Sequence, residues 1–164
     1  MRSIFRLIGS MPVALAGCMG VMPAPVASGG GSPAGGAMPS VDARQEVARL
    51  VNEHRARIGC PALAWDDLAA RAAQAHSEDM ARRNYFSHTT PEGRTMAERF
   101  RAQGINYGRA AENIAYGQHT AAEVVRGWLN SAGHRQNIEN CALRRHGVGL
   151  AATRWTHVFY TPLQ

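Results

Sequence analysis

The run from Thr120 to Ile138 constrains this chain more than any other. Val124, Val125, Trp128 and Leu129 recur at helical spacing, so one face of the helix they form has to be buried. Thr120 precedes that helix and Glu123 stands three residues on, the reciprocal capping pattern that fixes a helix start. The apolar face then gives way to a dense polar run, Asn130 to Asn137, containing Gly133 and His134. Gly133 suits the left-handed position just past a helix end. The reading is that the helix stops there and His134 leaves it at a fixed point.

A packed domain has to exist for that helix to dock on, and the periodic part of the chain starts near Val41. Asp42 with Gln45 marks a helix start, with Val47, Leu50, Val51, His54 and Ile58 as its apolar stripe and Gly59 and Pro61 as its end. Asp66 begins a second helix whose buried face is Ala69, Ala72, Ala73, His76 and Met80; the small alanines let another element approach closely. His54 and His76 lie on apolar faces and read as hydrogen-bonded core residues. Asn84 to Gly93 is a loop holding Phe86 and His88. Thr95 and Glu98 cap a third helix that buries Phe100 and ends at Gly104. A strand is predicted around Glu112–Ala115. After Gly147 two more are predicted, one with Val148 and Leu150, the other with Trp155, Val158 and Phe159, joined by a tight turn over 152–154. Helices mixed with antiparallel strands make the class α+β.

The first forty residues have a different character. Arg2 and Arg6 precede a short apolar run, Leu7 to Ala16, which is too short to span a bilayer but has the form of an export signal. It ends in Leu15-Ala16-Gly17-Cys18, the pattern of a bacterial lipobox, in which cleavage falls before the Cys and its sulfur carries lipid. Residues 1–18 are therefore read as a lipoprotein signal peptide with Cys18 as the membrane anchor. Met19 rather than Asp follows, which favours an outer-membrane address in a host with two membranes. Residues 19–40 are Gly, Pro, Ala, Ser, Met and Val without charge, and read as a tether. Residues 41–164 are the folded domain.

Export agrees with the remaining cysteines. With Cys18 committed to lipid, Cys60 and Cys141 form an even pair, and an oxidising compartment predicts a disulfide between them. All basic residues are Arg. The formal charge of +6 falls to about +4 from residue 41 on, with sixteen Arg against twelve Asp and Glu. That excess is neither clustered nor interleaved with aromatics, so nucleic acid is not a predicted partner.

Known hydrolytic patterns are missing from the sequence. There is no H-E-x-x-H and no G-x-S-x-G. Glu112 has only Glu98 as a second carboxylate for glycoside hydrolysis, and capping already accounts for Glu98.

Four stretches carry a family resemblance: Phe86-Ser87-His88, Glu112-Asn113-Ile114-Ala115, Trp128 to Ile138, and Gly147-Val148-Gly149-Leu150 followed by Trp155 to Phe159. In order and spacing they resemble the CAP superfamily (the SCP, or pathogenesis-related-1-like, domain) in its bacterial branch, from about residue 44 to the C-terminus. The resemblance implies a three-layer α-β-α sandwich with a small antiparallel sheet. It also implies a cleft of two His and two acidic residues, which in some members binds a divalent metal. His88 and Glu112 match two of those positions. The second acid falls at Ser131 and the second His near Arg154 or Trp155, so His134 stands in as the other imidazole, and His157 takes a place where relatives often have Gln. The expected cleft residues are thus His88, Glu112, His134 and Asn113. His88 and His134 are the expected ligands if Zn²⁺ or another divalent cation binds; otherwise the four form a polar network. Two functions are consistent with this. One is a non-catalytic module binding a lipid, a cell-wall component or a protein. The other is a metal-dependent hydrolase of peptide or cell-wall substrate.

Overall fold

The structure, a computed structural model, describes residues 42–163. The signal, Cys18 and the tether lie outside the described residues. No helix among the described residues is long and apolar enough to cross a membrane.

Asp42 caps α1 (Ala43–Arg57) by accepting the Arg44 N–H. The chain turns at Gly59, which has φ of 75°, and forms β1 (Ala64–Trp65) before Asp66 caps α2 (Asp67–Arg83) through the Ala69 N–H. The loop bearing His88 leads to α3 (Met96–Ala102), whose capping box of Thr95 and Glu98 is complete. Then come β2 (Tyr107–Tyr116), α4 (Ala121–Asn130) with a second complete box from Thr120 and Glu123, α5 (Ala132–Glu139), β3 (Arg145–Ala151) and β4 (Arg154–Pro162).

The four strands lie in the order β1-β3-β4-β2. β2, β4 and β3 are antiparallel, and the two-residue β1 joins β3 in parallel. Side chains alternate across such a sheet, and the alternation assigns the layers. Val148, Trp155 and Phe159 pack with Val47 and Val51 of α1 and Val124 and Trp128 of α4. Val158 and Tyr160 pack with Ala69, Ala72 and Ala73 of α2 and with Phe100 of α3. The fold is therefore the expected α-β-α sandwich.

Gly147 and Gly149 face α2, and a Cβ on either would land on the backbone of Ala70 or Ala73. The alanines and the glycines together bring helix and sheet into backbone contact. β4 is buried on both faces from Arg154 to Tyr160, so its polar residues need partners inside the protein. Thr156 accepts from Ser77 of α2 at 2.9 Å, and His157 meets His146 at 3.0 Å.

The outer edge of β2 is not left free. Trp128 Nε1 donates to Ile114 O at 3.2 Å and Asn137 Nδ2 to Glu112 O at 3.4 Å, which blunts an edge that would otherwise template pairing. These two contacts also fix α4 and α5 against the strand that carries Glu112.

Cys60 and Cys141 are joined, with Cα atoms 5.1 Å apart. The bridge ties the turn after α5 to the turn after α1. Beside it Arg55 is fully buried and donates to the carbonyls of Pro61, Ile138, Asn140 and Leu143.

Candidate functional site

A cleft of about 520 Å³ opens along the β2 edge. Its inner wall is Ile114, Val124 and Trp128, all buried. Its rim carries the half-exposed aromatics Phe86 and Tyr116, whose rings lie 6.2 Å apart, together with His88 and His134. His88 reaches it from the α2–α3 side of the sheet and His134 from α5 on the other side, so the cleft straddles the sheet edge.

His88 is oriented from behind. Its Nδ1 lies 2.8 Å from Glu112 Oε1, and its side chain is 56% exposed while that of Glu112 is 4% exposed. The other carboxylate oxygen of Glu112 accepts from Arg99 Nη2 at 2.5 Å. The same guanidinium donates through Nη1 to His88 O at 2.9 Å, so Arg99 holds the imidazole's backbone and its carboxylate partner at once. His76 continues the clamp: its Nε2 donates to Ser87 O at 2.9 Å. Burial, and then the Arg99 charge, push the His76 pKa down, so it works as a neutral donor. With a carboxylate on Nδ1, His88 turns Nε2 to the cleft, the arrangement by which an orienting acid sets an imidazole's tautomer.

His134 is placed by its backbone. Asn113, wholly buried, donates to His134 O at 3.0 Å and accepts from Asn137 at 2.8 Å. The His134 pKa is lowered, first by burial and then by the charge of His88. Two imidazoles thus share one cleft, one of them biased to the neutral form.

The sequence pattern of the cysteine-rich secretory protein (CAP) family matches residues 48–161, well over half of the chain. The chain belongs to the CAP family. YkwD of Bacillus subtilis is 39% identical over 117 residues, covering 70% of this chain and 46% of the relative. YlbC of the same species, described as a membrane protein, is 36% identical over 115 residues, covering 70% and 33%. This chain spans less than half the length of either. An extracellular SCP-domain protein of Bacillus anthracis superposes with a TM-score of 0.70 at 37% identity, over 72% of this chain and 40% of that one. An outer surface protein of Borrelia burgdorferi gives 0.68 at 20% identity, over 73% and 92%, which speaks to the fold.

As a CAP domain this one departs from the expected cleft. Ser131 lines the cleft where the resemblance implied a second acid. Arg154 stands where the second His was expected; it donates to Asn84 Oδ1 at 2.7 Å and lies 4.5 Å from the Tyr116 ring centre, bracing the rim. His134 lines the cleft but Glu112 and Asn113 stand behind its wall. His157 is a core residue, and Glu98 is spent on its capping box. His54 is half-buried against Glu139 at 2.9 Å.

The donor set does not suit a zinc of the hydrolytic kind, which takes three protein ligands. Both oxygens of Glu112 are engaged by His88 and Arg99. Among the described residues no group of three or more His, Cys, Asp or Glu is arranged to hold a metal. Two imidazoles, His88 and His134, are what remains at the cleft.

One expectation is corrected. Gly133 is not a helix stop: α4 ends at Asn130, Ser131 alone is extended (φ −103°, ψ 120°), and Gly133 and His134 lie in the first turn of α5. A one-residue break between helices leaves no glycine signal, since an extended residue suits any side chain. Arg99 and His76 are the positioning residues that sequence reasoning did not assign to the site. The apolar face on which His76 sits gave only a core reading, and Arg99 is one cation among many.

Proposed function

We propose that this chain is an exported, lipid-anchored CAP protein that binds a cell-envelope ligand in the His88/His134 cleft without turning it over. The single observation that supports this reading best is the commitment of Glu112. Its carboxylate is buried behind the cleft wall, paired with Arg99 and turned to orienting His88, which suits a preorganised binding surface. Ile114, Val124 and Trp128 offer an apolar wall, and His88, Ser131 and His134 offer hydrogen bonds. A ligand with an apolar portion and a polar head matches: a lipid, a cell-wall fragment or a protein segment. Export is supported by Leu15 to Cys18 and by the disulfide, and by the Bacillus anthracis relative described as extracellular.

The test is to incubate the purified full chain with detergent-solubilised envelope extract and weigh what it retains by mass spectrometry. Retained molecules are expected to leave with unchanged mass. His88→Ala should weaken retention about 3- to 10-fold, the loss of one hydrogen bond. Cleavage products whose formation stops with a chelator would instead establish the metal-dependent hydrolase.

A further inference from the structure

Two histidines take no part in the cleft and lie in the middle of the core. His146 on β3 and His157 on β4 are 1% and 0% exposed, with Nδ1 of the first 3.0 Å from Nε2 of the second. One N–H lies between those two facing nitrogens. His157 Nδ1 has no hydrogen-bond partner. A further proton on His157 would therefore make a buried N–H with no acceptor, a costly state.

The surroundings make it costlier. His157 lies against Phe159, ring centres 3.9 Å apart and planes tilted by 35°, and against Trp128 of α4 at 5.6 Å. His146 meets Trp65 of β1 edge-on at 5.7 Å. Across β2 the register partner of His157 is Asn113, which is uncharged and already bonded to α5. From α1 the group acting on both rings is Arg55, a buried cation held by carbonyls alone. Asp66, whose backbone N–H donates to His146 O at 2.9 Å, turns its carboxylate to the opposite layer, where it caps α2 and accepts from Tyr160. Among the described residues no carboxylate acts on either ring to compensate a proton.

We infer that the His146–His157 pair is an acid-sensing device: below about pH 6, where free imidazole protonates, the chain gains two protons only by opening its core. The cleft opens with it. His157 supports Trp128, and Trp128 is both the cleft's inner wall and the donor that ties α4 to Ile114 O. Asn113, its cross-strand neighbour, holds the turn bearing His134. The site is thus held together at neutral pH and loosened as pH falls, whatever it binds.

The direction of the pKa values agrees. Burial, then Arg55, lowers His146 to about 4, and burial, then His146, lowers His157 well below the ordinary value. A base whose folded pKa is depressed stabilises the fold above the unfolded pKa near 6.5. That contribution is lost as pH falls from there toward the folded value. Two such groups raise the unfolding constant on the order of 10²- to 10³-fold between pH 7 and pH 5.

The experiment is urea unfolding of the full chain at half-unit steps from pH 8 to pH 5, for wild type and for His146→Gln/His157→Gln. Gln hydrogen-bonds but does not titrate. The wild-type unfolding constant should rise roughly 30- to 100-fold per pH unit more steeply than the variant's between pH 6 and 5. Equal slopes would overturn the inference. If the variant does not fold, imidazole NMR on wild type decides. Both buried rings should stay neutral in the native spectrum down to pH 5, with the Trp128 indole signal lost as unfolded chain appears. Two rings titrating near pH 6.5 in an intact fold would refute it.

Discussion

Removing the Arg99 guanidinium strands a carboxylate. Arg99 and Glu112 are 7% and 4% exposed in their side chains, and breaking a buried pair from one side costs about 3–5 kcal/mol. Arg99→Met should lower the unfolding free energy by that amount in urea. Adding Glu112→Gln should restore most of it, since the stranded charge is gone. If Arg99→Met is neutral, the pair does not position His88. At this scale the sequence disclosed His88, Glu112 and His134, because short motifs name residue types at fixed spacings. Arg99 was not legible. It meets Glu112 across 13 residues of sequence, and nothing in a chain rich in arginine distinguishes the one that is buried. The His146–His157 pair was invisible for a similar reason: alternation along β4 assigns His157 a face but not a neighbour.

Among the elements, α2 against β3 and α4 beside the cleft give opposite predictions for glycine. Gly149→Ala would push a Cβ into the backbone of Ala73. Overpacking against immovable backbone should cost about 3 kcal/mol or more, read as a lowered denaturation midpoint. Gly127 lies inside α4, where an added Cβ meets nothing within 4 Å, so Gly127→Ala should stabilise by about 0.5–1 kcal/mol. The sequence revealed the long elements well, for physical reasons. Thr120 with Glu123 and Thr95 with Glu98 are local devices, and the residues that form them are the residues they cap. What it did not reveal is short. β1 is two residues long and exists only because β3 is beside it. α5 starts after a single extended residue and buries Ile138 alone, so no apolar period announces it.

For the whole molecule, the disulfide and the cleft make separate demands. The bridge spans a sequence separation of 81, and a loop of that length is worth about 4.5 kcal/mol in the chain-entropy model. Reduction should therefore lower the thermal midpoint sharply, and Cys60→Ala/Cys141→Ala should match the reduced protein in differential scanning calorimetry. The proposed lipid anchor rests on Cys18, and Cys18→Ser should leave an unprocessed, unlipidated precursor on a labelled-lipid gel; unchanged lipid labelling would count against the anchor. The central claim, that the cleft is the working surface and that it binds, is tested most directly by filling it. Gly127 lines the cleft and has open space around it, so Gly127→Phe should occupy the ligand's place while α4 stays folded. The measurement is the amount of envelope material retained by this variant against wild type, at equal stability in urea. Retention is expected to be lost in the filled variant. Equal retention by the two proteins would contradict it.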